Sequence, residues 1–248
     1  MWALRRSLSS HGSSNSSIKS KVSEVLPNEV KAVTPGTRPS PAIRNPMLPI
    51  PSAEMIKKAS VVVSIIFNAS QISFSCIERN PKDQTFALKE LQFHPLVLRS
   101  KQHFLSSMSE QMVTLSKKIP RSDLCMIEEY PTTAANPHMF AYVLQITQLR
   151  SFLLGSLTSR MDLSQIVAIK TVAVARLFNT VVGNERVSGQ HLVDNIITWK
   201  PLPSFIVPQK LKDEYENYSA ISKEGLANAI LLNLAYWRLT KQFTDSIT

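Results

Sequence analysis

The sequence predicts an α/β domain built on a mixed sheet, preceded by a basic tail without a core of its own. Three observations carry this expectation. Residues 60–78, SVVVSIIFNASQISFSCIE, read as two strands joined by a tight polar turn. A third apolar stretch follows before any helical pattern begins, and beyond residue 93 helical and strand patterns alternate.

The first strand, Val61 to Phe67, is a nearly unbroken apolar run, as expected of a central strand buried on both faces. After Asn68-Ala69-Ser70-Gln71 the pattern alternates, with Ile72, Phe74 and Cys76 on one face and Ser73 and Ser75 on a wetter one. Thr85 to Phe93 completes an antiparallel meander, with Asn80-Pro81-Lys82-Asp83 as its second turn. Arg99 to Lys118 sets Phe104, Leu105, Met108, Met112 and Leu115 at helical spacing, and Pro120 closes the segment. Asp123 to Tyr130 is a short apolar strand ending in the carboxylates Glu128 and Glu129. Phe140 to Leu157 reads as a strongly apolar helix, Gln165 to Val172 as another buried strand, and the remainder as helices. Three strands, a helix, a strand, a helix, a strand and terminal helices is the element order of the ribonuclease H-like fold, here expected over residues 59–248, with other mixed sheets as the alternative on topology alone.

The tail has a different composition. Residues 1–58 are rich in Ser and Pro and hold nine Lys/Arg against three acids, which leaves too little apolar material for a core. Residues 1–25 combine Arg5, Arg6, Lys19 and Lys21 with many serines and no acid before Glu24, the composition of a mitochondrial transit peptide. Residues 26–58 are expected as a Pro-rich disordered linker, extended rather than helical through TPGTRPSPAIRNPMLPIP. No apolar run reaches the ~18 residues of a membrane span.

The formal charge of +10 points to a polyanionic partner, but nineteen basic against fifteen acidic residues remain in 59–248, so most of the excess lies in the tail. Cys76 and Cys125 sit inside apolar strand patterns without metal-ligand spacing and read as buried hydrophobes. His94, His103, His138 and His191 have no second His or Cys three or four residues away, which gives a zinc site little support.

The segment SIIFNASQISFS, Ser64 to Ser75, resembles the first hairpin of Holliday-junction resolvases of the ribonuclease H-like superfamily, S-I-D-P-G-x-x-x-I-G-W-A. Ile66 falls on its aspartate, Phe67 on its proline and Asn68 on its glycine. DLCMIEEY is similar to the family's strand that ends in glutamate, with Glu128 at the acid position. VVGNERVSGQHLVDNII, Val181 to Ile197, resembles the glycine-containing turn and its helix, with Gly189 in place of the usual lysine. KEGLANAILLNLAYW, Lys223 to Trp237, is similar to the last helix, with Asn228 where the final aspartate is expected. Cleavage in this superfamily uses two divalent metals held by carboxylates about 4 Å apart, and hard magnesium ions require anionic oxygen ligands. Ile66 offers none, Asn228 offers a neutral carbonyl, and Glu128 with Glu129 cannot substitute because strand neighbours point to opposite faces. The resemblance therefore implies a degenerate nuclease fold without metal, cofactor or catalysis.

The chain is further similar to the mitochondrial transcription elongation factors from about Ala59 to about Thr240. The stretches that carry this are VVVSIIFN, KKIPRSDLCMIEE and VGNERVSGQHLV, the last with Gly183, Arg186, Ser188, Gly189 and Leu192 in place. This resemblance implies a non-catalytic homodimer of the mitochondrial matrix and nucleoid that binds the mitochondrial RNA polymerase and grips mitochondrial DNA or the transcription bubble. The segment before Ala59 is too short and proline-rich for the helix-hairpin-helix domain that vertebrate members carry. The alternatives are an active mitochondrial resolvase with a relocated metal site and an interaction module in mitochondrial RNA or ribosome maintenance.

Candidate nucleic-acid contacts are Arg186 and His191 near the glycine turn, Lys117, Lys118 and Arg121 before the acidic strand, and Lys210 and Lys212. Solvated surface is the ordinary use of such residues, and Lys117-Lys118 also complement the negative end of their helix. The 140–157 helix, apolar on more than one side, fits either a dimer interface or a protomer core. The Tyr215/Tyr218 and Tyr236/Trp237 pairs fit stacking or, more commonly, core packing.

Overall fold

The computed structural model describes residues 45–97, 104–129, 140–182, 185–186, 188–199 and 202–242. The expected transit peptide, most of the expected linker, Tyr130, His103 and His138 lie outside them.

The apolar run produces the central strand. The strands are β1 (Met47–Leu48), β2 (Val61–Phe67), β3 (Gln71–Asn80), β4 (Thr85–Pro95), β5 (Leu124–Glu129), β6 (Ile166–Lys170) and, below, β9 (Phe205–Ile206). They form one sheet in the order β1-β6-β5-β2-β3-β4-β9. β2, β3 and β4 are the antiparallel meander expected from the sequence, while β5 runs parallel to both β2 and β6. β2 sits fourth of seven strands, which explains its lack of alternation: Val62 to Phe67 are all buried.

Alternation along the strands divides the core into two layers. Val62, Ile66, Leu124 and Met126 face one side, against α7 (Ala220–Leu239). Val63, Ile65, Phe67, Cys125 and Ile127 face the other, against α2 (Phe104–Lys118) and α3 (Phe140–Leu157). The remaining elements are α1 (Ala53–Lys58), α4 (Thr171–Leu177), the small hairpin β7 (Val181–Val182) and β8 (Glu185–Arg186), α5 (Gln190–Asp194), a π-helical turn at Asn195–Trp199, and α6 (Gln209–Glu216).

α7 determines the chemistry of its face. Gly225, Ala229, Asn233 and Trp237 recur every four residues and so share one stripe of the helix. A Cβ on Gly225 would lie 2.5 Å from both Gln71 Nε2 and Ser73 Oγ, so glycine permits the close approach. Ser64 and Ser75 donate to the Ala229 carbonyl at 2.6 and 3.1 Å. Asn233 donates to the Val62 carbonyl at 2.8 Å and accepts from Trp237 Nε1 at 3.1 Å. The expected wetter face of β3 is therefore a correction: Ser73 and Ser75 are fully buried, because α7 covers them and takes up the two hydroxyls of Ser64 and Ser75.

Three further expectations are revised. Residues 45–58 do not continue an extended linker: Met47–Leu48 pairs antiparallel with Ile169 and Ala168, and Ser52 caps α1 by accepting the Met55 N–H at 3.2 Å. Thr171 and Val172 open α4 rather than ending β6. The terminal region also holds β7, β8 and β9, whose two-residue strands are too short for a periodic signal. Tyr215, Tyr236 and Trp237 are core residues, and both cysteines are buried free thiols. Among the described residues no helix is long and apolar enough to cross a membrane.

Candidate functional site

β2 and β5 run parallel, with Ile65 beside Ile127 at the end of their pairing. The next residues, Ile66 and Glu128, thus lie side by side on adjacent strands and, by alternation, face α7. Asn228 is on α7, one turn beyond Glu224. The three positions singled out in the sequence therefore share one face of the sheet, near the carboxyl ends of two parallel strands.

Their chemistry differs sharply. Ile66 is 2% exposed and packs in the apolar layer beneath α7. Glu128 is equally buried, at 2%. Asn228 is half-buried and donates to Glu224 Oε1 at 3.1 Å. Glu224 also accepts from the Ser188 hydroxyl, which in turn accepts the Gln190 N–H at 3.1 Å. This chain of bonds fastens the turn before α5 to α7. Gly189 sits where that turn meets the helix, and a Cβ there would run into Leu231 Cδ1. Glycine thus lets the turn pack closely against Leu231 of α7.

Glu129 faces the opposite layer. Arg150 on α3 feels burial, which lowers its pKa, opposed by the Glu129 charge. Tyr142 is raised by burial and, secondarily, by Glu128. The two-metal chemistry of the resolvase fold needs several anionic ligands on one face. Ile66 has no donor atom, the Asn228 amide donates to Glu224, and among the described residues no group of three His, Cys, Asp or Glu side chains converges. The donor set does not fit such a metal pair.

The candidate contact residues fall in three places rather than one. Lys117 and Lys118 are exposed in the last turn of α2, and Arg121 follows them, at the amino end of β5. Arg186 lies in β8, and exposed His191 is in the first turn of α5, meeting the Trp199 ring edge-on at 5.8 Å and Asn195 Nδ2 at 3.5 Å. Lys210 and Lys212 are on α6, with Lys210 3.8 Å from Glu214. Trp199, 63% exposed at the end of the π turn, was missed by sequence reasoning because one aromatic at a helix end leaves no periodic trace.

No protein-family model matches the chain. The solved yeast mitochondrial Holliday junction resolvase Ydc2 is similar to it with a TM-score of 0.55 at 14% identity, over 76% of this chain and 84% of that one. Sheet order, the helices on both faces and this likeness define a ribonuclease H-like fold of the resolvase type.

Within that class the chain has curated homologues named transcription elongation factor, mitochondrial. The rat protein is 26% identical over 195 residues, 75% of this chain and 52% of its own length. The mouse protein matches at the same identity and coverage. The chain spans about half the length of the curated relatives it matches. The resemblance read from VVVSIIFN, KKIPRSDLCMIEE and VGNERVSGQHLV is thus borne out.

Proposed function

We propose that this protein is a non-catalytic transcription elongation factor of the mitochondrial matrix and nucleoid. In this reading it binds the mitochondrial RNA polymerase and raises its processivity on mitochondrial DNA. The observation that carries the reading is the α7 face of the sheet. A buried isoleucine and a hydrogen-bonded asparagine occupy two of the three positions at which a nuclease of this fold would hold carboxylates. A scaffold without that ligand set is suited to holding nucleic acid and polymerase rather than cutting. The names of the curated homologues supply the context.

Run-off transcription by the cognate mitochondrial RNA polymerase tests it: adding the protein lengthens the products, and unchanged length rejects the proposal. Incubation with a four-way junction and magnesium leaves the substrate intact; cleavage that disappears in Glu128→Gln would identify an enzyme instead.

The outward face of α3 is the proposed dimer surface. Phe140 and Leu144 are 63% and 46% exposed one turn apart, and the position of a Gly155 Cβ opens into free space. Light scattering on the wild type gives twice the 27.7 kDa protomer mass, and Leu144→Glu gives the protomer. A wild type that is monomeric at micromolar concentration removes this element.

A further inference from the structure

A cavity of about 320 Å³ lies at the opposite pole of the sheet from Ile66 and Glu128, beneath the carboxyl ends of α2 and α3. Six residues separate Ser122 from Glu128, so along β5 the two ends are roughly 20 Å apart. The volume is within the range of small-molecule sites, about 300–1,000 Å³.

Its walls divide by chemistry. Ile119, Cys125, Leu157 and Met161 form an apolar floor, while Arg121, Ser122, Arg160 and Gln165 supply polar groups. Arg160 Nη1 donates to the Ile119 carbonyl at 2.9 Å and to that of Ser116, which fixes the guanidinium at the end of α2. Arg121 is exposed and has no ion pair among the described residues. Gln165 accepts the Asp162 N–H at 2.8 Å through Oε1, and its amide nitrogen remains as a donor. The Ser122 hydroxyl is buried without a hydrogen-bond partner among the described residues. An unsatisfied buried hydroxyl is costly and calls for an acceptor.

Among the described residues no carboxylate lines the cavity. The neighbouring Asp123 is committed elsewhere, accepting the Ser60 and Val61 N–H groups at 2.8 Å each. Two guanidinium groups, a hydroxyl and an amide nitrogen over an apolar floor offer several donors and two positive charges. Guanidinium is suited to bidentate recognition of phosphate oxygens. Lys117 and Lys118, nearby at the end of α2, add to the positive potential.

We propose that this cavity binds an organic phosphate monoester no larger than a nucleotide, its phosphate on Arg121, Arg160 and Ser122 and its body on the Cys125–Leu157–Met161 floor. The source is either a free nucleotide or the phosphorylated end of a nucleic-acid strand. The site is distinct from the α7 face and does not depend on the transcription reading.

The test is calorimetric titration of the full chain with AMP, with adenosine as the probe lacking phosphate. AMP binds and adenosine does not. Arg121→Gln, at an exposed position that leaves the melting temperature unchanged, weakens AMP by about tenfold or more, as loss of a charged hydrogen bond predicts. Ser122→Ala weakens it further. Competition by short oligonucleotides separates the sources. Displacement of AMP by a 5′-phosphorylated strand but not by its 5′-hydroxyl counterpart identifies a strand end, and displacement by neither identifies a free nucleotide. Equal displacement by both, absence of AMP binding at millimolar concentration, or unchanged affinity in Arg121→Gln overturns the assignment.

Discussion

Replacing Asn233 with leucine tests the account of how α7 is held on the sheet. Asn233 is fully buried, and its amide donates to the carbonyls of Val62 at 2.8 Å and Ser75 at 3.4 Å. Its carbonyl accepts the Trp237 indole N–H at 3.1 Å. Leucine has nearly the same shape, so little cavity opens and the hydrogen bonds are the main loss. A buried indole N–H left without an acceptor costs about 1–3 kcal/mol, and the lost donor to two buried carbonyls adds about 1 kcal/mol. The expected total is about 2–4 kcal/mol. At about 2–4 °C per kcal/mol for a domain of this size, the melting temperature falls by about 4–16 °C. Urea titration gives the free energy directly, and an unchanged slope shows that only stability has altered. A loss below about 1 kcal/mol refutes the reasoning, since the polar stripe would then contribute no more than an apolar contact.

Gly225→Val drives a side chain into Gln71 and Ser73 and lowers stability by about 1–3 kcal/mol in the same urea assay; a neutral result means α7 stands farther from β3 than described. Burial, with smaller contributions from Glu90 and Glu78 at Cys76, pushes the thiols of Cys76 and Cys125 up to about 12. Ellman's reagent at mildly alkaline pH therefore modifies neither until the protein is unfolded, and stoichiometric reaction of the native protein contradicts their placement. Burial, and then the charge of Lys118, holds His94 below its ordinary 6.5. The unfolded chain takes up that proton first, so the contribution to stability is complete above 6.5 and declines as pH falls from there through the folded value. His94→Phe, keeping a ring against Phe74, flattens the difference in urea midpoint between about pH 7.5 and about 5.5; an unchanged pH dependence assigns it to other groups.

The hairpin shows most clearly which features local sequence encodes. An apolar run, a polar turn and an alternating strand specify β2 and β3 because side-chain period and burial are properties of a single strand. The same holds for β5 and for α3, whose 140–157 bounds agree with the structure. What failed is equally specific. Ser73 and Ser75 read as solvent-facing because serine in an alternating strand ordinarily is, and only a helix some 150 residues later, with glycine at 225 and alanine at 229, covers them. The short β1, β7, β8 and β9 pair through partners distant in the chain or over two residues, below any periodic signal. At the candidate site, the identities of Ile66, Glu128 and Asn228 were legible through family resemblance, while their shared face is set by the parallel pairing of β2 with β5 and by the docking of α7.

The anion cavity marks the limit most plainly. Arg121 and Ser122 precede one strand, and Arg160 and Gln165 lie about forty residues later around the end of α3; nothing in their spacing relates them. The sequence by itself determined the longer strands and helices and the residue types at 66 and 228, because these depend on composition and local period. The tertiary structure alone decided which polar groups meet, because strand register and helix docking are set by the packing of distant apolar faces.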